Sequence, residues 1–390
     1  MKKWRRLCGA LCAAAQLLCL SGCAGTNIFS EFHEIEKIEI IRTIGIDLSE
    51  TGLVLTADSG VGLDAAPPRL YRQEAATLAA AIATLENRYP DRQPFFTHTE
   101  TLLLGERAAR AGVDGWLDYV ARSPKMRLMI DLVVVRGGEA GGAMEAVMSE
   151  QSSASDMLED IAADMQMLGA GFATTCGQTA VRTLESGCAL VQAVACTPAN
   201  GSAGAETMLV PSGFALLRDG RLVGFLEPEL SPAVNALTGR FEAANMVVGD
   251  GRDAVSLHVT KAETAYTPVY RDGCLERVDI ALTAEADVAE IFGAVDPTNA
   301  AARAALEKAA AGRLCALAQE VLDATRAQGG DYLGVGDFVE RAAPVRFRAM
   351  PETWREIFDT VELRVSARVA LRRTYDMNAP MTAEGGNDGE

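Results

Sequence analysis

The sequence predicts an α+β protein of more than one domain, with largely antiparallel or mixed sheets flanked by helices. Three observations carry this. Asp219-Gly220 and Asp272-Gly273 each stand between apolar runs, and Asp-Gly favours the positive φ that both central positions of a tight hairpin require. Near the C-terminus, Leu306, Ala310, Leu314, Leu317, Val321 and Ala324 step by three and four, the stripe of a long helix. Beyond it, Val361, Leu363, Val365, Ala367, Val369 and Leu371 alternate with Glu362, Arg364, Ser366, Arg368, Ala370 and Arg372, the pattern of a strand with one buried face. Strand runs joined by hairpins and separated by helices belong to the α+β class.

The chain opens with Lys2, Lys3, Arg5 and Arg6, then a largely apolar run over 7–20. A stable membrane span needs roughly 20 residues, whereas a shorter apolar run behind a basic start suits a secretory signal. The run closes on Leu20-Ser21-Gly22-Cys23, which resembles the lipobox of bacterial lipoproteins. The segment 1–22 is therefore expected to be a lipoprotein signal peptide. Cys23 is expected to carry a diacylglyceryl group, with or without an N-acyl chain such as palmitate. Two acyl chains suffice for stable anchoring, so the body needs no span of its own. Residues 23–34 read as the lipidated cysteine and its stalk.

Next, 38–41 and 43–47 read as strand, turned by Glu50-Thr51-Gly52 into a second strand over 53–57. Ala75, Leu78, Ile82 and Leu85 mark an amphipathic helix that ends at Tyr89-Pro90. A short strand over 101–104 leads into a helix over 106–111 stopped by Gly112, and Asp114 reads as the N-cap of a helix carrying Trp116, Leu117 and Val120. The nearly unbroken apolar run 128–135 predicts a strand central in its sheet. Met157, Leu158, Ile161, Met165 and Leu168 form a helical stripe suited to core packing, stopped by Gly169-Ala170-Gly171.

After a strand over 189–196, the Gly-, Ser- and Ala-rich stretch 197–206 reads as a domain boundary. An N-terminal α+β region over 35–200, open to division into two subdomains, would precede a C-terminal α+β domain over 207–376. The second region begins with the Asp219-Gly220 hairpin. Ser231-Pro232 then starts a helix, with serine as N-cap, and strands follow over 255–260 and 278–286. Gly329-Gly330 ends the long helix, and 377–390 is a polar tail expected to be disordered.

Composition limits function. The chain has 390 residues and a formal charge of −17, and losing the four basic residues of 1–22 takes it to −21. Such a charge disfavours nucleic acid and polybasic adhesion to anionic lipid. Only three histidines occur, His33, His98 and His258, each alone in its segment and without metal-ligand spacing. No nucleophile elbow, Walker A loop or dinucleotide fingerprint is present. The expectation is no catalytic residue, no metal and no cofactor beyond the lipid on Cys23. His98, in Phe95-Phe96-Thr97-His98, reads as a packed loop or core histidine. Past Cys23 the cysteines are Cys176, Cys188, Cys196, Cys274 and Cys315, which leaves a disulfide among the first three and buried free thiols as alternative readings.

Several segments in order resemble the spore-germination lipoproteins of the GerAC (Ger(x)C) family, the C subunits of germinant receptors. They are the lipobox, Ile44-Gly45-Ile46-Asp47, the aromatic-His element ending at His98, and Leu102-Leu103-Leu104-Gly105-Glu106. Further along come the helix over 112–122 with the apolar strand after it, Asp331-Tyr332-Leu333-Gly334-Val335-Gly336, and Trp354 before the final alternating strand. Two positions depart from the family pattern: Ala24-Gly25-Thr26 replaces the usual Trp-Asp, and Glu100 stands where a lysine is common.

The resemblance implies three α+β domains on the outer face of the spore inner membrane, held to the bilayer through Cys23. It also implies work beside other germinant-receptor subunits, a polytopic transporter-like protein and a second membrane protein. Asp47, His98, Asp331, Gly334, Gly336 and Trp354 are the family-motif positions, expected to act in structure or at an interface. The alternative reading is a solute-binding lipoprotein of an uptake system. That fold needs repeated strand-helix-strand units, against which the two Asp-Gly hairpins speak.

Overall fold

A computed structural model describes residues 38–373 apart from 61–65, 90–91, 150, 166, 200–205, 250, 252–253, 293–294, 349 and 351–353, together with Trp4. The signal segment 1–22, Cys23, the stalk 23–34 and the tail 377–390 lie outside the described residues, Trp4 excepted.

Strands β1 (Ile38–Ile40), β2 (Thr43–Leu48), β3 (Leu53–Asp58) and β4 (Leu70–Ala75) precede helix α1 (Leu78–Arg88). Then follow β5 (Gln93–Phe95), β6 (Thr101–Gly105), α2 (Glu106–Ala111), α3 (Asp114–Arg122) and β7 (Asp131–Val135). Next are α4 (Ala140–Val147), α5 (Ala154–Met165), α6 (Cys176–Ser186), β8 (Cys188–Pro198), β9 (Thr207–Arg218) and β10 (Arg221–Leu226). The chain continues through α7 (Ser231–Leu237), β11 (Ala244–Val248), β12 (Val255–Arg271), β13 (Cys274–Ile291) and α8 (Ala300–Ala327). It finishes with α9 (Val335–Ala342), α10 (Pro344–Phe347), α11 (Trp354–Thr360) and β14 (Glu362–Leu371).

A two-stranded sheet pairs β1 with β5, and two larger sheets organise the remaining strands. One has eight strands in the order β10-β9-β8-β7-β6-β2-β3-β4, and the other has four in the order β11-β12-β13-β14. Strands β2, β6, β7 and β8 are parallel to one another, and antiparallel strands extend the sheet on both sides. The α+β reading with mixed sheets holds. Apart from β5, which pairs with β1, the described strands between residues 43 and 226 all join the eight-stranded sheet. The glycine-rich stretch near 200 connects the neighbouring strands β8 and β9, and the hairpin β9–β10 completes the first sheet.

Period-two alternation distributes the large sheet's side chains between cores. On one face Leu102, Leu104, Leu132, Val134, Val191, Ala215 and Leu217 pack with Leu78, Ile82 and Leu85 of α1, Leu117 and Val120 of α3, and Cys176 of α6. The opposite face is shared. Leu103, Val133 and Val135 lie under Met144 of α4 and Leu158 of α5. Leu190, Phe214, Leu216 and Leu226 instead join Val234 of α7, Leu314 and Leu317 of α8, and Ile280 and Leu282 of β13. The hairpin β9–β10 thus belongs to the first sheet by hydrogen bonding, with Ala215, Leu217 and Leu222 in that sheet's own core and its other face packed into the C-terminal core.

Local chemistry explains most boundaries. Thr77 caps α1 by accepting from the Ala80 N–H, and Thr175 with Gln178 forms a capping box on α6. Asn299 caps the 28-residue helix α8, whose buried face carries Leu306, Ala310, Leu314, Leu317 and Val321, as the periodicity requires. Both Asp-Gly pairs adopt positive φ at both positions, 49° and 70° at 219 and 220, and 52° and 84° at 272 and 273.

Some readings move. The apolar strand begins at Asp131, because the Leu128 carbonyl accepts the Gly177 N–H and Leu128 and Met129 sit exposed in a turn. Asp114 is the first residue of α3 and Val113 its cap, while Ser231 follows a short 3-10 turn and is already helical. Leu168 lies beyond α5 and is exposed, so the stripe's core part is Leu158 and Met165. All five cysteines after Cys23 are free thiols.

Phe214 connects the two halves, with its ring centroid 4.7 Å from that of Phe172. Phe214→Ala is expected to lower stability by about 3–5 kcal/mol. Calorimetry should show the melting of both sheets shifting together; a shift confined to one of two resolved transitions would contradict this coupling.

Candidate functional site

Residues 331–336 connect the end of α8 to α9, and every one of them is buried. Asp331 is only 5% exposed. Its Oδ1 accepts the Val335 N–H at 2.8 Å, and its Oδ2 accepts the Gly336 N–H at 2.7 Å and the Trp354 Nε1–H at 3.0 Å. The first N–H groups of a helix have no partner within it, so a carboxylate placed there satisfies them and meets the positive end of the helix dipole. Burial pushes the Asp331 carboxyl above the usual range. The three donors, with the nearby Arg182 guanidinium, act in the opposite direction without cancelling it.

Two glycines permit this geometry for different reasons. Gly334 caps α9 at φ +75°, a left-handed conformation costly for other residues. Gly336 is helical, but a Cβ there would lie 2.7 Å from the Trp354 Nε1 and 2.8 Å from its Cε2. Trp354, at the start of α11, is held between Phe347 and Phe358 with ring centroids at 5.5 and 6.1 Å. Asp331, Gly336 and Trp354 therefore form one hydrogen-bonded cluster, and Gly334 supplies the turn that makes it possible.

Asp47 stands at a second helix start. At 4% exposure its Oδ1 accepts the Ala140 N–H and its Oδ2 the Gly141 N–H, each at 2.7 Å, fixing α4 on the eight-stranded sheet. Asp58, which sequence reasoning did not single out, does the same for α5. Its Oδ2 accepts both the N–H and the hydroxyl of Ser155 at 2.9 Å, while Oδ1 accepts the Gly60 N–H. An aspartate closing an apolar strand was the available signal, shared with Asp47. His98 belongs to neither cluster: it is exposed in a turn, its ring 6.2 Å from that of Phe95.

Two clefts flank 331–337. One, of about 370 Å³, is lined by Asp331, Gly336, Trp354, Glu185, Glu340 and Arg355 among others. The other, of about 230 Å³, exposes Arg182, Arg240 and Arg341. Between them Arg182 donates to Asp337 at 2.5 Å and to the Asp331 carbonyl at 3.4 Å, tying α6 to the start of α9. Among the described residues no group of three or more His, Cys, Asp or Glu side chains is placed to hold a metal ion.

The chain is 22% identical to spore germination protein KC of Bacillus subtilis (strain 168), in a match covering 90% of this chain and 92% of that protein. The crystal structure of the GerBC protein shares the fold, with a TM-score of 0.55 at 17% identity, over 87% of this chain and 99% of that one. The model of the spore germination protein N-terminal domain matches residues 31–195, and that of the GerAC-like C-terminal domain of spore germination proteins matches 212–375. With the two matches spanning most of its length, the chain belongs to the GerAC family of spore germination proteins.

Proposed function

We propose that this chain is the membrane-anchored lipoprotein subunit of a nutrient germinant receptor, held on the outer face of the spore inner membrane by the lipid on Cys23. It acts through contacts with the other receptor subunits and not by catalysis. One observation supports this above the others: Asp331, Gly336 and Trp354 spend their polar atoms on each other and on the start of α9, which Gly334 caps, as Asp47 does at α4. The motif positions then specify a shape, and the exposed surface around that shape is left for partners. Among the described residues no helix is long and apolar enough to cross a membrane, which is compatible with anchoring through lipid. Membership of the germination family takes the place of the solute-uptake alternative.

Anchoring is tested at its origin. Cys23→Ser should leave a folded protein that partitions into buffer, while the wild type partitions into detergent; equal partitioning would refute the lipid anchor.

The structural part is tested at Gly336. A valine there forces its side chain into the Trp354 indole, and overpacking of this kind costs about 1–3 kcal/mol. Gly336→Val should lower the thermal midpoint and the amount of protein in spore membranes, with a proportionate loss of nutrient-triggered germination. A normal midpoint and normal abundance with the response abolished would instead assign 331–336 to partner contact.

A further inference from the structure

The basic cleft stands out in a chain whose net charge is −17. Arg182 comes from α6, Arg240 from the segment after α7, and Arg341 from α9, and all three line the same space. Arg182 is matched by Asp337. Among the described residues, Arg240 and Arg341 have no carboxylate partner. The Arg240 guanidinium lies 4.3 Å from the Phe172 ring centroid and uses one N–H on the Ala173 carbonyl at 3.3 Å. That of Arg341 lies 4.4 Å from the Phe338 ring centroid. Stacking fixes the plane of a guanidinium while leaving its in-plane N–H donors available, the arrangement that recognises planar or tetrahedral oxyanions.

A second observation concerns Thr174, which lines the same cleft. It is 4% exposed, and its hydroxyl has no hydrogen-bond partner in the structure. Buried hydroxyls are ordinarily satisfied, so this one is a polar group in the cleft wall that the protein itself does not use. The charges are also unrelieved: burial first, and then Arg182 close by, hold the Arg240 guanidinium below its ordinary value. An anion in the cleft would remove that repulsion. Asp337 lines this cleft too, where it pairs with Arg182, leaving an excess of positive charge; the neighbouring cleft on the other side of 331–337 has the opposite character, carrying Glu185, Asp331, Asp337 and Glu340 against Arg355.

We propose that the cleft between α6, α9 and the segment after α7 binds a small soluble oxyanion, a carboxylate or a phosphate, through Arg182, Arg240 and Arg341. At about 230 Å³ it suits a compact ligand. Because Arg182, Arg240 and Arg341 lie on separate elements that meet only in the folded protein, the ligand would brace α6 against α9.

Full-length lipoprotein in detergent would be titrated by calorimetry with inorganic phosphate and, separately, with succinate, at constant ionic strength. Saturable binding of one or both is expected, weakened by about tenfold or more in Arg341→Gln and in Arg240→Gln. Since the Arg341 side chain is exposed, the ligand-free midpoint of Arg341→Gln should stay close to that of the wild type, which separates lost binding from lost folding. Binding by phosphate but not succinate, or the reverse, would identify the oxyanion. Absence of saturation with both, binding unchanged in both variants, or arginine-dependent binding only to phosphatidylglycerol vesicles would overturn the proposal.

Discussion

A buried aspartate accepting the first N–H groups of a helix is the interaction on which this structure turns. Among the described residues it occurs three times: Asp47 beneath α4, Asp58 beneath α5 and Asp331 beneath α9. Each carboxylate is withdrawn from water, which disfavours its charge, and each is compensated by main-chain donors that would otherwise be orphaned. Removing one partner would strand both the carboxylate and the amides, and an unsatisfied buried group costs about 1–3 kcal/mol or more when charged. Asp47 and Asp58 close strands of the central sheet, while their helices lie more than 80 residues downstream. A local side chain thereby fixes a long-range contact.

The consequences spread through the packing. With α4 and α5 pinned, one part of the large sheet's face is covered, and the rest, presented by β8, β9 and β10, is left for the C-terminal core. Phe214, Leu216 and Leu226 fill it with α7 and α8 behind them. At the far end of α8 the third aspartate sets the direction of α9, and with it the position of Asp337 against Arg182 of α6. The two clefts beside this turn, one acidic and one basic, are products of the same constraint.

Much of this was legible from residues alone. The strands and helices with a single dominant signal appear where that signal lies: the Asp-Gly hairpins, the helix over 106–111, the stripe of α8 and the alternation of β14. Less legible were elements whose surroundings set their conformation. Strand β4 is mostly polar because it sits at the sheet edge, and α6 depends on a capping box more than on an apolar stripe. Strands β12 and β13 run far past the apolar segments, since their extensions pair with each other while leaving side chains in water. The parallel pairing of β13 with β14 follows from the crossover through α8, which no local pattern encodes. At the site, the Asp-x-x-Gly-x-Gly spacing was visible, but Trp354 as the third donor to Asp331 was not, and neither was the meeting of Arg182, Arg240 and Arg341. Juxtapositions between distant segments leave no periodicity to read.

Asp331 holds the start of α9 through its charge and its two acceptor oxygens. Native-state hydrogen exchange at the Val335 and Gly336 amides in Asp331→Asn, compared with the wild type, tests it most directly. Faster exchange is expected at these two amides and along the first turn of α9, with the β12–β13 amides less affected. Unchanged protection at Val335 and Gly336 would contradict it.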